Sequence, residues 1–164
     1  MSFSNDSVNA IWKRSGGPLA KCFTCGRKCA DGWNLDASHM DHTKNHDYDD
    51  PTRGQLECLW CHLTRHVRYY YEYCLKEDSS KKRLRENRYM CHALVMRILA
   101  GEDRHERGPV PRTHKEIKTT RKELVVLIEA EFKKARKAAK KNNFKEKPLI
   151  KAEEKILELC YMIR

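Results

Sequence analysis

The stretch that decides the fold runs from Cys22 to His66: CFTCG at 22–26, LDASHMDHTKNHDYDD at 35–50 and PTRGQLECLWCHLTRH at 51–66. Two Cys-x-x-Cys pairs, Cys22/Cys25 and Cys58/Cys61, bracket it with 32 residues between them. This is the spacing of a four-thiolate zinc site, in which each pair grips the metal from one knuckle and the intervening chain becomes a closed loop. The loop itself carries His39, Asp41, His42, His46, Asp47, Asp49 and Asp50, and His62 follows Cys61 directly. A purely structural zinc loop has no need of such a gathering. A second, chemically active metal does.

Working outward, Gly26 lets the first knuckle turn so that amide groups face the sulfurs. Trp33 to His42 alternates as a strand does, with Leu35, Ala37, His39 and Asp41 on one face. Asp50-Pro51 marks a turn, and Gln55 to Glu57 reads as a short second strand leading into the second knuckle. From Leu59 onward the pattern turns helical, which places His62 and His66 one turn apart on the same face. The expected order is strand, loop, strand, helix, with a zinc clamp tying its start to its end.

The loop residues suit phosphodiester hydrolysis, which needs an activated water, charge relief at the phosphate and help for the leaving oxygen. One divalent metal and one general base supply all three. Asp is a hard oxygen ligand, and imidazoles on a nearby helix suit Mg, Mn or Zn. Adjacent strand residues point to opposite faces, so Asp41-His42 can divide the work between metal and water. His62 and His66 then face the strand from the helix.

These residues resemble the HNH, or ββα-metal (His-Me finger), endonucleases. The shared features are the Asp-His dipeptide, the Cys-x-x-Cys-His helix start, both cysteine pairs, the His39 to His42 run and Arg53-Gly54. The zinc-stapled subgroup, similar to the phage recombination endonuclease VII group that resolves branched DNA, is the nearest pattern. The resemblance spans residues 20–68. It implies structural zinc on Cys22, Cys25, Cys58 and Cys61, a catalytic Mg or Mn ion (or Zn) held by Asp41 and His62, and His42 as general base. His66, which matches a further histidine of some members, completes the expected ligand set of that ion. The loop also permits His39 as the base, but that choice leaves Ser38 where the family requires a metal ligand. The pattern departs from the subgroup at His62, where an Asn is expected.

Beyond the loop, the 164 residues carry a net charge of +11, which points to an anionic partner. The charge is uneven. Residues 1–80 hold 10 basic against 11 acidic side chains, while 81–164 hold 24 against 12. The first half reads as the chemistry and the second as the grip on DNA, duplex or branched. Candidate contacts are Arg53, Arg65, Lys133, Lys134, Arg136, Lys137, Lys140 and Lys141. The N-terminus has no apolar run of signal-peptide length and no segment approaches a membrane span. The expectation is a cytoplasmic protein of a bacterial or phage-infected cell, not secreted. In that reducing setting the paired cysteines read as metal ligands. Cys74, Cys91 and Cys160 read as small core residues, and Cys29 as a spare ligand near the first knuckle.

The expected fold class is α+β, mostly α: a zinc-bound ββα-metal finger followed by a basic helical C-terminal region. Its parts are a flexible lead-in over 1–18, the finger over 19–76, a helix packing on it over 77–101, a linker over 102–115 and a basic helical DNA-binding or dimerisation region over 116–164. Asp78-Ser79-Ser80 serves as a break and N-cap, and Thr113 with Glu116 has capping-box spacing. The run KKARKAAKKNN reads as too basic and Ala-rich for a core, and Leu149 to Ile163 as a homodimer face. The competing function is a non-catalytic zinc-finger DNA-binding or adaptor protein. A third is a nuclease that cuts only inside a phage recombination or packaging assembly.

Overall fold

The computed structural model describes residues 3–40, 49–76, 81–105 and 110–162. It is mostly helical with one two-stranded sheet, in keeping with an α+β class dominated by α. The elements are α1 (Asn5–Arg14), β1 (Leu35–His39), β2 (Gly54–Cys58), α2 (Leu59–Leu75), α3 (Lys81–Ala100), α4 (His114–Lys141) and α5 (Lys147–Leu159). The chain divides into two units: Met1–His62 with Glu102–Pro109, and Leu63–Gly101 with Val110–Arg164. None of the described helices is long and apolar enough to cross a membrane.

In the first unit β1 and β2 pair antiparallel, from Leu35 opposite Cys58 to His39 opposite Gly54. One face of this hairpin is apolar and is covered by α1. Ile11 is fully buried there with Phe3, Ala20 and Leu56, and Trp12, Leu35 and Ala37 pack around them. Ser4 caps α1 by accepting from the Ser7 amide, and Ser7 Oγ donates to the Asp49 carbonyl at 2.6 Å. Arg14 donates to the carbonyls of Pro51 and Gly54. The segment expected as a flexible lead-in is therefore a helix stitched to the hairpin. Its polar composition hid Ile11, the fully buried apolar residue of α1 on which the packing rests.

Gly54 shows how tightly α1 is seated. A Cβ there would lie 2.8 Å from Ile11 Cγ1 and 2.9 Å from Phe3 Cζ, so any side chain there forces the buried Ile11 and Phe3 to shift.

The expected linker over 102–115 is also different. Its first four residues return to the hairpin unit, where Asp103 is buried. Asp103 accepts from the Trp60 indole at 3.0 Å, its carbonyl accepts from the Asn34 amide, and the His105 amide donates to Gly32 O. Gly108 and Pro109 drew the sequence reading toward a linker; they lie outside the described residues, as do Asp78-Ser79-Ser80.

The second unit holds the remainder of α2 with α3, α4 and α5. Leu94, Val95, Ile98 and Leu99 of α3, Leu124, Ile128 and Phe132 of α4, and Leu149 and Ile156 of α5 are buried. Gly101 ends α3 at φ +92°, and the Thr113/Glu116 capping box opens α4 as expected. Glu131 is nearly buried but accepts from Arg68 Nε and Lys134 Nζ, each at 2.8 Å. Burial raises its pKa, and these two cations outweigh that and hold it below the usual carboxylate range.

Two expectations fail here. Ala135 and Ala139 of the basic run are buried with Leu149, and Tyr71 and Leu75 pack against them. Alanines four apart let another helix approach closely, a role that a hydropathy count over a lysine-rich stretch conceals. The apolar stripe of α5, expected as a dimer face, is covered within the chain: Leu149, Ala152, Ile156 and Leu159 are buried, and α5 packs on α3 and α4.

Candidate metal centre and the polar face of the hairpin

The first knuckle turns at Gly26, φ +75°, whose amide donates to Cys22 O at 2.9 Å. Cys22 N donates to Arg27 O, and Phe23 N donates to Leu56 O of β2, so this knuckle is pinned to the second strand. Cys58 ends β2 and Cys61 lies in the first turn of α2. The potential ligand atoms of Cys22, Cys25, Cys58 and Cys61 lie within 4.8 Å of one another. The Cys25–Cys58 Sγ distance is 3.7 Å. Tetrahedral zinc with bonds of about 2.3 Å sets sulfurs about 3.8 Å apart, so the cluster fits a structural metal such as zinc. Cys29 is not part of this cluster.

Sulfurs this close compete for charge. The Cys58 thiol donates to Cys22 and drives Cys22 far down, while the same contact pushes Cys58 up to about 11. Contact with Cys22 raises Cys61 strongly as well. Only a cation among them lets all four ionise together. Arg27 offsets part of that negative charge by donating to Cys58 Sγ at 3.7 Å. Its guanidinium also lies 4.1 Å from the centroid of Trp33, and that of Arg104 lies 4.4 Å from the same ring.

The other face of the hairpin is polar and largely closed. Register and alternation put Asp36, Ser38, Gln55 and Glu57 together on it. Glu57 is fully buried and accepts from Ser38 Oγ at 2.8 Å and from Thr24 Oγ1 of the knuckle. His62, in the first turn of α2 and 7% exposed, brings Nδ1 to 3.5 Å from Asp36 Oδ2. The hairpin, the knuckle and the start of α2 therefore converge on one polar layer beside the cysteines. No known protein family, curated protein or solved structure matches this chain.

The sequence-derived candidates fall in several places. Asp41 and His42 lie outside the described residues. His39 is 8% exposed and sits on the α1 side, stacked on Phe3 with ring centroids 4.0 Å apart. It is not brought to the Asp36–His62 side. His66 is buried with Nδ1 3.0 Å from Asn87 Oδ1 of α3, a helix–helix contact of the second unit. Arg53 and Arg65 are partly exposed. Lys134, Arg136 and Lys140 face Glu131, Glu153 and Glu146; Lys133, Lys134, Lys137, Lys140 and Lys141 are exposed.

Sequence reasoning missed Asp36, Ser38 and Glu57. The two-residue alternation of LDASH carries the signal for Asp36 and Ser38, whereas Glu57 joins them only through the strand register.

Proposed function

We propose that this chain is a metal-dependent HNH-type endonuclease that hydrolyses DNA phosphodiester bonds, with branched or recombining duplexes as the favoured substrates. One observation carries the reading: the cysteine cluster fixes hairpin, knuckle and helix so that His62, directly after a ligand cysteine, is delivered to a polar hairpin face beside Asp36. In this reading Cys22, Cys25, Cys58 and Cys61 hold zinc as a staple. Asp41, two residues past the end of β1, and His62 would hold a Mg or Mn ion, which would supply charge relief at the phosphate and the leaving oxygen. His42 takes the proton from the attacking water, a task for which imidazole is suited near neutral pH. The basic second unit grips the DNA backbone.

The test is cutting of supercoiled plasmid and of a four-way junction with Mg or Mn ions, comparing wild type with His42→Ala. Wild type cuts, and the variant loses cutting while keeping its zinc. Equal cutting by both would falsify the mechanism.

The second reading is a non-catalytic zinc-finger DNA-binding or adaptor protein. It is favoured by the burial of His62 and His66, each beside a polar side chain in its own unit, Asp36 and Asn87. It expects salt-sensitive DNA binding and no cutting with any divalent metal.

A further inference from the structure

Helix α4 spans 28 residues, about 42 Å of axis, and its two faces differ in kind. Leu124, Ile128, Phe132, Ala135 and Ala139 are buried on one. Away from it Lys115, Lys118, Lys122, Lys133 and Lys137 fall within an arc about 100° wide, centred about 130° from the buried one at the helical turn of about 100° per residue. All five are exposed, and none makes an ion pair with another described residue. Neighbouring cations behave otherwise. Lys134 reaches Glu131, Arg136 reaches Glu153 and Lys140 lies 3.9 Å from Glu146. Arg136 and Lys140 fall in the same arc but are met by Glu153 of α5 and by Glu146 at its N-cap, and Glu129 is the one acidic residue that α4 itself places there.

We propose that this lysine stripe is a sequence-independent track for the phosphates of duplex DNA. The inference rests on the reading above only in taking DNA as the polyanion.

The layout selects the partner. Lys115 to Lys137 extends about 33 Å along a straight helix, so the charges do not converge as a pocket for a small anion would require. A duplex presents a charge about every 1.7 Å of its axis and meets such a line along its length. A membrane surface would call for apolar side chains that enter it, and Val126 is the one large apolar residue in the arc. The cations are lysines, point charges without the planar fork that reads a base edge, so they fix position and not sequence.

The experiment measures affinity of the zinc-loaded full chain for a linear duplex in magnesium-free buffer across a salt series. Each lost phosphate contact lowers the slope of log affinity against log salt by about 0.9, so Lys122→Gln/Lys133→Gln/Lys137→Gln together lower it by about 2.7. Lys145→Gln/Lys151→Gln/Lys155→Gln removes the same charge elsewhere in the unit and is expected to lower it by less than about 1. Circular dichroism melting establishes that both variants are folded. Equal slope changes in the two variants overturn the proposal, because overall charge then accounts for binding. An unchanged slope in the stripe variant overturns it too, as does wild-type binding to phosphatidylserine vesicles as tight as to the duplex. Wild type that shows this slope pattern but cuts no DNA supports the stripe while ending the endonuclease reading.

Discussion

Ser38 on β1 donates its hydroxyl to the carboxylate of Glu57 on β2 at 2.8 Å, and that carboxylate is fully buried. Thr24 supplies the second hydroxyl from the first knuckle. One carboxylate thus ties three segments that meet beside the cysteine cluster. Replacing Glu57 with Leu leaves two hydroxyls facing an apolar group, and is expected to cost about 2–4 kcal/mol. Urea unfolding of the zinc-loaded protein measures this. A loss under about 0.5 kcal/mol, the range of surface substitutions, would refute the assigned role.

Metal analysis should find one tightly held zinc per chain, and Cys25→Ser should weaken its retention against a chelator. Chelation should expose the buried hairpin residues, read as loss of Trp12 and Trp33 fluorescence signatures. Retention should weaken as pH falls, because protons compete with the metal for coupled thiols that already resist ionisation.

His39 and His62 belong to opposite faces of the hairpin, so their variants should part company. His39→Leu keeps an apolar side chain packed on Phe3 and should leave DNA cutting within about threefold. His62→Ala should reduce cutting by more than about a hundredfold. Steady-state cutting rates on one plasmid substrate decide between them. Equal losses would mean that the face assignment does not govern the chemistry.

Ile11→Ala should destabilise the first unit by about 2–4 kcal/mol, since the deleted atoms leave a cavity between α1 and the hairpin. Gly54→Ala should be at least as damaging, because the added methyl meets Ile11 and Phe3. Thermal melting of each variant is the measurement. Were residues 1–18 a loose arm, both would be silent.

The second unit should lose stability on the alkaline side. Burial pushes the thiols of Cys74 and Cys160 up to about 11, raises Cys91 further, and lifts Tyr70 to about 12. An unfolded thiol ionises near 8.5, so above that pH the unfolded chain releases protons that the fold retains. The stabilisation is whole below about pH 8.5 and drains away as pH rises through about 11. Melting temperature should therefore fall between pH 9 and 11, and Cys91→Ala should flatten that fall.

Much of the first unit could be read directly from residues, because cysteine spacing and turn chemistry are local. The second strand, the helix start at Leu59 and the Thr113/Glu116 box were found where expected. The misses share a cause. Ile11, Asp103 and the pair Ala135 and Ala139 acquire their burial from partners distant in sequence, and a window of local hydropathy assigns each to a polar or linker stretch. Glu57 is the sharpest case: a carboxylate beside a ligand cysteine reads as solvated until register places Ser38 next to it.

The return of Glu102 to His105 to the hairpin has a consequence for how the molecule is made. Trp60 waits for an acceptor that is translated more than forty residues later, after all of α3. A ribosome-bound chain ending anywhere before Asp103 can close its thiolate clamp yet still lack one wall of that module. Excising residues 19–76 as an independent finger would discard both α1 and this late wall, so such a fragment is expected to bind metal without acquiring native rigidity.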